Sequence, residues 1–193
     1  MKEASIATFC PSGRKDWRQW LEDNHQIQDA VWLVQYKKVS KKASLSWEEA
    51  VEEALCFGWI DGKRKSISNE SYRQFFCKRK ATSTWSRINK EKVKQLMDQG
   101  RMRKAGVEAI ETAKRNGAWS MLDEVEALVI PEDLQVAFSH YPGSKVTFSE
   151  WSKSTKKMAL HWIVMAKRPE TRQRRIDKVV AMANRKERPK VFK

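Results

Sequence analysis

Between residues 59 and 87 the sequence places a carboxylate, Asp61, among aromatic and basic side chains: Trp59, Arg64, Tyr72, Arg73 and Arg87. This is the composition of a small pocket in which the carboxylate acts as a base and a guanidinium grips an anionic substrate through two parallel hydrogen bonds. The same residues have plainer readings. An Asp at a turn often accepts from backbone amides, and a Trp just after a helix end often clamps that end. A second basic group, Lys167, Arg168 and Arg172, flanks Pro169 where one helix gives way to another. There the free N–H groups of a helix start form an anion site, or Lys167 and Arg168 simply complement the dipole of the preceding helix.

No nucleophile is paired with a base in sequence. Cys10, Cys56 and Cys77, and His25, His140 and His161, are scattered without metal-ligand spacing, and no glycine-rich phosphate loop occurs. The expectations are no metal, no cofactor, no assigned catalytic residue, a reducing compartment, and Cys56 and Cys77 serving as small buried hydrophobes. The N-terminus lacks the apolar stretch of a signal peptide and no window is long enough to span a membrane, which points to the cytoplasm.

Charge is unevenly distributed. The chain carries a net +15 over 193 residues. Residues 1–62 hold 8 basic and 10 acidic side chains, and 63–94 hold 11 and 2. Residues 95–152 hold 6 and 9, and 153–193 hold 14 and 3. Two blocks therefore carry the whole excess. If they meet in the fold they form a field that attracts nucleic acid or phosphorylated ligands; if not, they are two solvated faces. In the first block Lys63 and Lys65 alternate with Arg64, so a strand there divides its cations between two faces.

The positioning elements read as α+β: a small antiparallel sheet of about three strands in the N-terminal half, packed with helices, followed by an all-helical C-terminal half. A helix at 14–24 carries Trp17, Trp20 and Leu21 on one face, and the apolar run 30–36 is a buried strand. Ser46 and Glu49 form a capping box for a helix with Trp47, Val51, Ala54 and Leu55 inward, ended by Gly58. Strands at 62–67 and 72–78 make a hairpin, with Arg73, Phe75 and Cys77 on one face and Tyr72, Gln74 and Phe76 on the other. Helices follow at about 84–100 and 104–116, closed by Gly100 and Gly117, then an undecided connector at 119–130. Pro131 opens a helix in its first turn, a short segment holds Val146, Phe148 and Trp151, and Ser152 or Ser154 caps a helix that Pro169 stops. A last helix spans about 170–184, and 185–193 is a frayed tail. The expected division is an α+β part at 1–125 and a helical part at 126–193, packed as one compact unit.

The strings Ala50-Val51-Glu52-Glu53-Ala54-Leu55-Cys56-Phe57-Gly58-Trp59-Ile60-Asp61-Gly62 and Trp85-Ser86-Arg87-Ile88-Asn89-Lys90 resemble the YdeI/OmpD-associated bacteriocin-protection family. So do Gly100-Arg101-Met102 and Ala166-Lys167-Arg168-Pro169-Glu170-Thr171-Arg172, and the resemblance extends over about 32–183. It implies a bacterial protein tied to protection against bacteriocins, antimicrobial peptides or stress, and it supplies no catalytic set. The expected function is a non-catalytic, cytoplasmic binding protein that presents a basic surface to an anionic partner, a nucleic acid or a phosphorylated ligand. The alternative is a small-molecule enzyme with a pocket near Trp59, Asp61 and Tyr72, and a third possibility is a protein partner for the basic blocks.

Overall fold

The computed structural model describes residues 6–40, 42, 45–187 and 189. Residues 1–5, parts of the basic loop at 37–43 and most of the tail at 185–193 lie outside the described residues. The fold is α+β and forms two compact units, Met1–Ser83 with Ile88–Trp119, and Thr84–Arg87 with Ser120–Lys193.

The first unit is built on a sheet of four strands, not three, and the sheet is mixed. Its order is β1 (Thr8–Phe9), β2 (Ala30–Tyr36), β4 (Ser71–Lys78), β3 (Trp59–Ser66). β1 has only two residues, too few to leave a pattern in sequence, and it pairs parallel to β2 through Thr8↔Trp32 and Phe9↔Leu33. A parallel pair needs a crossover, and α1 (Arg14–Asn24) provides it. β3 begins at Trp59 rather than at residue 62. Gly62, read as the first residue of the strand, lies within a register irregularity between Asp61 and Arg64, and the Gln74 side-chain amide donates to the Gly62 carbonyl at 2.7 Å.

α2 (Trp47–Cys56) starts with both halves of the capping box: Glu49 N–H donates to Ser46 Oγ at 3.2 Å and Ser46 N–H to Glu49 Oε2 at 3.0 Å. Trp17 on α1 donates its indole N–H to the Ala50 carbonyl at 3.0 Å, which fixes the two helices to each other. Their inner faces and the sheet bury Trp17, Leu21, Leu33, Leu55, Trp59 and Phe76 completely. Trp47, expected inward, is exposed instead, as are Ile88 and Met97 on α3 (Arg87–Asp98).

α4 (Lys104–Arg115) approaches the end of α2 through two glycines. A Cβ at Gly106 would collide with the Cys56 carbonyl. Gly58, at φ +73, lies against the Ala105 carbonyl, where only a residue without a Cβ takes the left-handed conformation at no cost.

The second unit is helical. The undecided connector contains a single turn, α5 (Asp123–Glu126), and the segment with Val146 and Phe148 is α7 (Ser144–Glu150). Pro131 is the N-cap of α6 (Glu132–Ser139), one position earlier than expected. Ser152 caps α8 (Lys153–Val164), accepting from Thr155 N–H at 3.2 Å. α8 ends before Pro169, which instead occupies the first turn of α9 (Pro169–Asn184), where its missing N–H costs nothing. Leu134, Phe138, Phe148, Trp151, Leu160, Ile163 and Ile176 form the core of this unit. Among the described residues no helix is long and apolar enough to cross a membrane.

Candidate functional site

Around Asp61 the structure places a carboxylate held by side chains rather than by turn amides. Asp61 Oδ2 accepts from the exposed Trp47 indole at 3.0 Å and from Gln74 Nε2 at 3.3 Å. Burial pulls the nearby Arg79 guanidinium down to about 10, against the opposing pull of the Asp61 and Cys77 charges. Trp59, read as a possible stacking platform, is fully buried and meets Trp20 edge-on at 5.8 Å, so it packs the core instead of lining a surface. Arg64 lies 3.5 Å from the centre of the Tyr72 ring, which leaves that ring 8% exposed.

The other sheet face holds Lys63, Lys65 and Arg73. Lys63 and Lys65 each lie 5.6 Å from the Trp32 ring and Arg73 lies 4.4 Å from it. The alternation of Lys63, Arg64 and Lys65 therefore divides the strand's charges as its period requires, and Asp61 and Arg73 do not share a site. Arg87, at the start of α3, belongs to the second unit and is exposed.

In the second unit Arg172 is tied to Asp133, with Nε at 2.6 Å and Nη2 at 3.0 Å, and this hydrogen-bonded pairing holds Asp133 below the usual carboxylate range. Arg168 is the N-cap of α9 but makes no side-chain cap bond, and Glu170 already supplies a carboxylate in that first turn. Lys167, Arg168 and Arg174 are exposed and make no ion pair within 4.0 Å among the described residues. Arg174 and Lys178 stand one turn apart on α9. Arg175 and Lys178 lie 5.0 and 5.7 Å from the ring of half-buried Trp162, and Arg175 donates to the Trp162 carbonyl.

One cluster went unread in the sequence, because Glu52 and Glu53 look like ordinary helix carboxylates. Glu53 is 1% exposed and receives three guanidinium groups: Arg14 Nε at 2.6 Å, Arg18 Nη1 at 2.7 Å, and Arg101. Glu52 binds Arg14 at 2.7 Å and Lys92 at 2.9 Å. Burial opposes ionisation of Glu52, but Lys92 and Arg14 outweigh it and hold the carboxyl below its usual range. Arg103 clamps Glu22 at 2.5 Å, closing the turn between α3 and α4 onto α1. The signal available in sequence was Arg14 and Arg18, one turn apart and matched to a Glu pair on the next helix. This cluster ties α1, α2 and the turn before α4 together. Burial, reinforced by the Glu53 charge, pushes the neighbouring Cys56 thiol up, away from the reactive thiolate.

Two family models match the chain. Residues 9–109 match the Domain of unknown function (DUF8412), which is more than half of the sequence. The chain belongs to that family. The DUF8412 segment includes the sheet from Phe9 onward, the Glu53 cluster and the strings at 50–62, 85–90 and 100–102. Residues 127–186, running from the end of α5 through α9, match the family described as Bacteriocin-protection, YdeI or OmpD-Associated. The resemblance read over 32–183 is thus carried by this shorter segment, which contains Lys167, Arg168 and Arg172. No curated protein and no solved structure matches the chain.

Proposed function

We propose that the protein is a non-catalytic, cytoplasmic binding protein whose basic surface takes an anionic partner, a nucleic acid or a phosphorylated ligand. One observation carries this reading: exposed Lys167, Arg168 and Arg174 lie along the start and outer face of α9 with no carboxylate within 4.0 Å among the described residues, and Arg175 and Lys178 of the same helix flank the Trp162 ring. The guanidiniums gathered on Glu53 are matched with a carboxylate, whereas these exterior ones have charge available for phosphate. Half-buried Trp162 adds an aromatic edge of the kind that accompanies cations where bases are stacked. An enzyme at Asp61 is less well supported, since Trp59 is sealed in the core and Oδ2 already accepts from two side chains.

The test is a titration of labelled single-stranded DNA, duplex DNA and polyphosphate at several salt concentrations. The reading expects binding at low salt that weakens steeply as salt rises, because each neutralised phosphate releases counterions. Absence of salt-dependent binding across the whole panel removes it.

A further inference from the structure

The other side of α9 has a different character. Between α6 and α9 runs an open trough of about 830 Å³. Val136 and Tyr141, 56% and 50% exposed, form one wall, while exposed Ala181 contributes from α9 above the buried Val180. Two carboxylates overlook this apolar strip: Glu132 at the first turn of α6 and Asp177 in the middle of α9. Asp177 accepts from Gln173 Nε2 at 2.9 Å, and neither carboxylate makes an ion pair within 4.0 Å among the described residues. Asp133, at the same edge, is neutralised by Arg172, and at the far end Arg185 is paired with Glu187 at 3.2 Å. The trough therefore presents uncompensated negative charge in a chain whose net charge is +15.

We infer that the α6–α9 trough docks a cationic amphipathic helical segment of a partner. An apolar strip flanked by charge is the surface that receives a helix lying in a groove, with anchors at successive turns. Val136, Tyr141 and Ala181 meet the apolar face of the incoming helix, and Glu132 and Asp177 meet its Lys or Arg side chains. α9 has 16 residues, a length of about 24 Å, which suits three to four turns of a docked helix. Charge complementarity selects the occupant: an acidic segment meets like charge at both carboxylates, and a neutral one leaves them unmatched. The trough uses Asp177 and Ala181, whereas the proposed polyanion surface uses Lys167, Arg168 and Arg174, so the two faces are separable and this inference does not rest on that proposal.

The experiment uses the full chain and two synthetic probes, a 14-residue helical peptide of Leu and Lys and its Leu and Glu counterpart, followed by titration calorimetry and sedimentation. The expected result is one-to-one binding of the Lys peptide, protection of α6 and α9 from hydrogen exchange, and no binding of the Glu peptide. Charge reversal by Glu132→Lys with Asp177→Lys weakens the Lys peptide about tenfold or more, and Val136→Asp weakens it with both carboxylates intact. Both carboxylates are exposed, so unfolding curves of the double variant serve as the folding control. Polyanion binding in the double variant is retained, which separates failure of this inference from failure of the other. Equal binding of both peptides, or an affinity unmoved by the double reversal, overturns the proposal. A self-associated protein that Val136→Asp dissociates, and that takes no peptide, overturns it in favour of a second copy as the occupant.

Discussion

The two units use charge in opposite ways. In the first, Glu53 is sealed beneath Arg14, Arg18 and Arg101, and Glu52 is shared by Arg14 and Lys92, so cations hold α1, α2 and the turn before α4 together. In the second, an apolar core of Leu134, Phe138, Phe148 and Ile176 does the holding, and most cations of α9 remain outside it. The same residue type is a structural bolt in one unit and a surface in the other. Net charge alone cannot distinguish the two uses; the carboxylate within reach can. An interior guanidinium without its carboxylate is costly, and an exterior one is free to meet a partner.

This contrast is broken most directly by removing the bolt. Glu53→Ala leaves three guanidiniums without their shared partner and should cost about 3–5 kcal/mol in urea unfolding; a loss under about 1 kcal/mol would show that the cluster is ornamental. Next in size, Gly106→Ala forces a methyl group into the Cys56 carbonyl and should destabilise by about 1–3 kcal/mol as the α2–α4 contact opens. Unchanged stability would mean that these helices separate freely.

Acid gives a gentler probe of the same cluster. Arg103 holds Glu22 below the usual range; for Glu52, Lys92 and Arg14 do so despite burial. A carboxyl depressed in the folded state binds fewer protons than in the unfolded chain, so its contribution is complete above the unfolded value near about 4.3 and fades as pH falls below it. Amide exchange across α1 and α2 should accelerate in that window, with little change between pH 6 and 8. Exchange that accelerates on raising the pH from 5 to 7, beyond the intrinsic base catalysis, would contradict this sign. The smallest stability effect is expected on α9: Arg174→Glu with Lys178→Glu should shift unfolding by no more than about 0.5 kcal/mol. A large shift there would place those cations with the structural ones.

Much of this was legible beforehand, and for identifiable reasons. Strong local signals held: the capping box at Ser46 and Glu49, the apolar run of β2, the left-handed glycine at Gly58, and the two-residue period that sends Arg64 and Lys65 to opposite faces. Signals that depend on distant partners did not. β1 is too short to show a period, and the strand read from Gly62 begins at Trp59 because an irregular register carries the pairing through Gly62. Trp47 lies on the apolar side of α2 by spacing, yet its indole reaches out to Asp61 on a strand 14 residues later. The Glu53 cluster spans residues 14 to 101, and no local pattern reveals that three arginines converge on one glutamate. Trp59 illustrates the same limit for the candidate site, because only the position of Trp20 shows that it is enclosed.

The central claim, that the exterior cations of α9 are a binding surface, is tested most directly by the salt dependence of polyanion affinity in the wild-type chain and in the Arg174→Glu, Lys178→Glu variant. The account predicts a steep fall in log affinity with log salt for the wild type and a clearly shallower slope for the variant, whose two reversed charges no longer neutralise phosphates. Identical slopes and affinities in the two proteins would contradict it.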